Sequence, residues 1–147
     1  MDKRLTSIWW TMKIALGAVP FLAGLDKFFN LLTNWPDYLN PVALQYVPLD
    51  AQVFMQIVGV VEMIVGLAIL TRFTRFGSYV AACWLVAIAV NLVSMGKFYD
   101  IAVRDLLLAV SAFSLARLTA VLATQRVTSD ARVWKPAPQG GILSLNL

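Results

Sequence analysis

Four long apolar runs, each bounded by charge or proline, set the pattern of this chain. The clearest is Phe76 to Gly96, which carries no charged residue and lies between Arg75 and Lys97. At ~1.5 Å per residue it is long enough to cross a hydrocarbon core ~30 Å thick. A second run, about 51–71, holds one charge, Glu62, and begins just after Asp50, which is placed to cap a helix. A third, about 100–123, contains Arg104, Asp105 and Arg117, with Asp100 placed to cap its start. The run nearest the N-terminus, about 7–32, carries Lys13, Asp26 and Lys27, and Pro20 in its middle predicts a kink. The expected fold is all-α: a polytopic membrane protein with a four-transmembrane-helix bundle over 1–127. An extended cytoplasmic tail is expected over 128–147, where Pro136, Pro138, Gly140 and Gly141 discourage a helix.

Lys3 and Arg4 ahead of the first run also suit a signal peptide. The apolar stretch continues past any plausible cleavage point, and no A-x-A site precedes Asp26, so the run reads as a retained helix. Between the first two spans, 33–50 holds Pro36, Pro41 and Pro48 with Trp35, Tyr38 and Tyr46. This composition predicts a lid on the membrane surface with one short helix.

Composition agrees with this pattern. Hydrophobic residues make up 60% of the 147 and charged residues 14%, against about 45–50% and about 25% in soluble domains. There is one cysteine, Cys83, and no histidine. The usual ligands for haem, iron–sulfur clusters and zinc are therefore missing, and a dithiol relay is excluded. No covalent or metal-bound cofactor is expected, and any redox group would be borrowed. The net charge of +4 sits in the flanks of the apolar runs, which points to membrane orientation and not to nucleic acid. Lys3, Arg4, Arg72, Arg75, Arg126, Arg132 and Lys135 fall on one side of a four-span arrangement. The positive-inside rule puts that side, and both termini, in the cytoplasm.

Ionisable groups within spans cost free energy and need partners. Glu62 is the deepest, near the midplane. Gly59 and Gly66 share its helical face, so it should point into the bundle, with Lys13 as the nearest available cation. A buried pair that fixes packing, a proton-handling or headgroup-binding group, and a lipid-facing position all remain open for it. Asp26, Lys27, Asn91, Ser94, Arg104 and Asp105 fall in the outer third. They suit either an interhelical salt-bridge network or a polar pocket beneath the lid, open to a quinone head or similar ligand.

The stretch from Leu16-Gly17 to Asp26-Lys27-Phe28-Phe29 resembles the first helix of the DoxX family. Val61-Glu62 through Gly66 to Leu70 and Arg72 resembles its second helix. Asp100-Ile101-Ala102 with Arg104-Asp105-Leu106, through Leu115-Ala116-Arg117-Leu118, resembles its last. The resemblance covers roughly 12 to 120. It implies a small four-helix membrane protein, some relatives of which are associated with quinone-linked oxidoreductases. Carried over to this chain, it singles out Lys27, Glu62, Arg104 and Asp105.

Three functions follow as expectations. The first is an accessory subunit of a respiratory or redox complex in a bacterial inner membrane, contacting quinone and either other membrane subunits or further copies of itself. The second is a non-catalytic scaffold or assembly factor. The third is a small transporter built around Glu62 and the Arg104/Asp105 pair.

Overall fold

A computed structural model describes residues 3–46 and 49–133. Five α-helices form: α1 (Lys3–Asp26), the short α2 (Pro41–Tyr46), α3 (Ala51–Leu70), α4 (Thr74–Ser94) and α5 (Tyr99–Val133). A single 3-10 turn, Trp35–Tyr38, precedes α2, and no strand occurs among the described residues. Helices α1, α3, α4 and α5 are each long and apolar enough to cross a membrane. The chain is thus an all-α four-helix bundle and an integral membrane protein. Its outward face supports this: Phe76 is 69% exposed and Leu107 65%, a surface that only an apolar solvent would tolerate.

Helix ends differ from expectation in three places. Helix α1 stops at Asp26 and does not continue to 32. Asn30 adopts a left-handed conformation with φ 52°, and its N–H donates to Asp26 O at 2.7 Å. The Asp26 carboxylate then accepts from the N–H groups of Leu31 and Leu32, both at 3.1 Å. A side chain thus takes the donors that another helical turn would have used. Asp100 is not a cap but lies inside the first turn of α5, where a negative charge still suits the helix dipole. The preceding turn uses Gly96 and Phe98 at positive φ. Asp50 does cap α3, accepting from Gln52 N at 2.8 Å.

The third difference is at the end of α5, which runs to Val133 instead of stopping near 123. Residues 124–133 contain no glycine or proline to end it. Its 35 residues span about 52 Å, well beyond a ~30 Å core, so its last turns project from the bundle. The expected extended tail is therefore helical over 128–133. The rest of that tail lies outside the described residues.

Packing pairs α1 with α3 and α4 with α5. The first pair meets backbone to backbone at two crossings, Gly24 on Gly59 and Gly17 on Gly66. A Cβ added to Gly59 would lie 2.5 Å from Gly24 O, and one on Gly66 would lie 2.6 Å from Gly17 O. Lipid is as apolar as the side chains, so burial alone does not drive association. Close van der Waals approach through small residues does. The α5 seam follows the same rule, with Ala102, Ala109, Ala112 and Ala116 buried. One apolar core, around Val65, Ile69, Ala81, Ala112 and Leu115, occupies the half nearer the α3–α4 turn. The other, around Ala89, Leu92 and Ala102, has Tyr38 of the loop and Phe98 against it. Pro20 is carried within a single continuous helix.

Candidate polar site in the bundle

The glycine crossings decide which charges meet. Because α1 and α3 run antiparallel with Gly24 on Gly59, Glu62 faces the loop end of α1. The Lys27 Cβ lies 3.1 Å from the Cβ position of Gly59, and the Glu62 Cβ lies 3.1 Å from that of Gly24. Lys27 Nζ donates to Glu62 Oε2 at 2.5 Å, and both side chains are buried. The cation for Glu62 is therefore Lys27, not Lys13. Lys13 sits at the opposite end of the same interface. Its Nζ donates to Thr71 O at 2.8 Å and lies over the Trp9 and Trp10 rings. Depth along α1 separates the two lysines: Gly17 lies on Gly66, so the helical turn before it reaches the C-terminal end of α3.

The outer loop closes over the pair. The Trp35 ring stacks on Lys27 Nζ at 3.7 Å, a cation–π contact in a site shielded from water. The Trp35 indole N–H donates to Asp26 Oδ2 at 2.8 Å. Asp26 thus forms no interhelical ion pair; its oxygens hold the loop and its tryptophan. Gln52 adds a brace, donating to Lys27 O at 2.9 Å and accepting from Asn30 at 3.0 Å. Asn91 donates to Tyr38 O at 3.0 Å, and Asn40 donates to Ser94 at 3.0 Å, fastening the loop to α4. Thus 33–46 forms a lid pinned at several points.

The expected outer charge network divides accordingly. Arg104 binds its own neighbour, Asp105, through Nε at 3.1 Å and Nη2 at 3.0 Å. The Asp105 side chain is 6% exposed while that of Arg104 is 61% exposed. Arg104 therefore reaches along the bundle surface while Asp105 turns in. Asp105 lies near enough to Lys27 and to Glu62 to act on both electrostatically. Trp84 of α4 also lies beside Glu62. Its buried indole N–H is directed at the Glu62 carboxylate but falls short of full hydrogen-bond geometry. All four spans, or their ends, therefore contribute to one cluster: Lys27, Glu62, Trp84 and Asp105.

Trp35, Gln52 and Trp84 are members of this site that sequence reasoning passed over. Trp35 read only as part of the lid. Trp84 carried a signal, because an indole N–H in the middle of an apolar span needs a partner. Among the described residues no group of three His, Cys, Asp or Glu side chains is placed to hold a metal ion. Chemically, the cluster offers one cation, two carboxyl groups and an indole N–H that Glu62 engages only weakly. It can take a polar group that both accepts and donates hydrogen bonds. No known protein family, curated protein or solved structure matches this chain.

Proposed function

We propose that this protein is an accessory membrane subunit of a respiratory or redox complex, and that its polar cluster receives the head of a quinone. The observation that carries the reading is the Trp84 indole N–H, buried and aimed at Glu62 without closing a full hydrogen bond. A buried donor left unsatisfied costs roughly 1–3 kcal/mol, and a ligand carbonyl would recover the part of that cost that the weak approach to Glu62 leaves. Asp105 and Glu62 would accept from the hydroxyls of the reduced form. Arg104 marks the side by which a head group would enter from the bilayer, since it is exposed while the aspartate beside it is buried. The resemblance of the first, second and last spans to the DoxX family supports the same reading. The basic flanks support a bacterial inner membrane location with both termini in the cytoplasm.

The test is extraction in mild detergent, with quinone measured by mass spectrometry and by quenching of tryptophan fluorescence on titration. Bound or titratable quinone is expected. Trp84→Phe is expected to weaken binding about 5–10-fold, the equivalent of one hydrogen bond. Absence of both quinone and a co-purifying redox partner sinks the proposal.

A second reading, a scaffold or assembly factor, is favoured by a different observation. Lys27 and Glu62 already satisfy each other, and Asp26 is taken up by the loop. In that case Glu62→Gln and Lys27→Met lower the yield of the assembled complex without altering the activity of what does assemble. An activity defect in a normally assembled complex excludes it.

A further inference from the structure

At the end of the bundle away from the lid, the α3–α4 turn carries a separate feature. Arg72, Phe73, Arg75, Phe76 and Tyr79 line an open groove of about 300 Å³. Both arginines are exposed, as are Phe73 at 53% and Phe76 at 69%. Neither guanidinium is in an ion pair among the described residues; Arg72 lies 5.1 Å from the Phe73 ring centroid. No acidic residue occurs in the sequence between Glu62 and Asp100. The turn joins two helices long and apolar enough to cross a membrane, so in a bilayer the groove would lie near the level of the lipid phosphates.

We propose that this groove binds the phosphate of an anionic phospholipid from the surrounding leaflet. Two guanidinium groups three residues apart match a phosphate diester, each able to donate more than one charge-assisted hydrogen bond. The exposed rings of Phe73 and Phe76 cover the first methylenes of an acyl chain. Tyr79, steadied by an edge contact with Phe113 at 5.8 Å, forms the floor. Two features favour a lipid over free phosphate. The groove wall is largely aromatic, which a free ion would not use. A positive pair with no ion-pair partner among the described residues also meets an anionic leaflet at a high local concentration. The site is distinct from the Lys27–Glu62 cluster and does not depend on the function proposed for that cluster.

The experiment uses the full chain in an uncharged detergent. Short-chain phosphatidylglycerol, short-chain phosphatidylcholine and inorganic phosphate are titrated separately, with binding read by native mass spectrometry. Phosphatidylglycerol is expected to bind with the others far weaker. Arg72→Gln and Arg75→Gln are each expected to weaken it about fivefold, and the double variant about 25-fold. Both positions are exposed, and unchanged helical circular dichroism and gel-filtration profiles establish that the variants fold. Equal binding of phosphatidylcholine overturns the proposal. So does inorganic phosphate binding as tightly as the lipid, or a double variant that retains wild-type affinity.

Discussion

Removing the Lys27 cation tests the centre of the bundle most directly. Two unit charges 2.5 Å apart attract by roughly 6–7 kcal/mol at an effective dielectric of about 20. Most of that is offset by taking both ions out of water, so the net value of the intact pair is small. The cost of removing one partner is not small. In Lys27→Met, Glu62 and Asp105 remain buried near each other, with only the exposed Arg104 for balance. The Trp35 ring also loses the cation beneath it. A loss of about 3–5 kcal/mol is expected. The double variant Lys27→Met/Glu62→Leu removes both charges and should regain most of it, ending within about 1 kcal/mol of the wild type. The assay is reversible unfolding in mixed micelles by titration with sodium dodecyl sulfate, followed by circular dichroism, for all four members of the cycle. A coupling energy below about 0.5 kcal/mol, the level of independent sites, would refute the view that the pair acts as a unit.

Other substitutions probe the parts around it. Gly59→Ala drives a methyl onto Gly24 O, and the same titration should show a loss of about 1–3 kcal/mol from overpacking. Asp26→Asn keeps the shape but not the charge that holds Leu31, Leu32 and Trp35. The 33–46 lid should become sensitive to limited proteolysis while the spans stay protected. Trp9→Phe removes a 2.8 Å hydrogen bond to Thr119 between the first and last spans, for a cost of about 0.5–1.5 kcal/mol in the unfolding titration. Trp84→Phe deletes a donor that falls short of a full hydrogen bond to Glu62, so without ligand it should change stability by less than about 1 kcal/mol.

The four spans were legible because hydropathy is a local property. A run of ~20 apolar residues without charge has one low-energy fate in a bilayer, whatever its neighbours do. The inward direction of Glu62 was legible for a similar reason, since Gly59 and Gly66 share its face at helical spacing. Its partner was not. Lys13 and Lys27 both lie on the first span or at its end, and choosing between them requires the register of α1 on α3. The interlocking of Gly17 with Gly66 and Gly24 with Gly59 sets that register, and no single helix carries it. The end of α1 was lost to the same limitation. Phe28 to Leu32 are apolar enough to extend a helix, and only the Asp26 carboxylate, turning back onto Leu31 and Leu32, stops it there. Segment number, length and class thus belong to the sequence, because each segment's transfer free energy is its own. The cluster of Lys27, Glu62, Trp84 and Asp105 belongs to the tertiary structure, because hydrogen bonds and ion pairs act over a few ångströms and register alone decides which groups come that close.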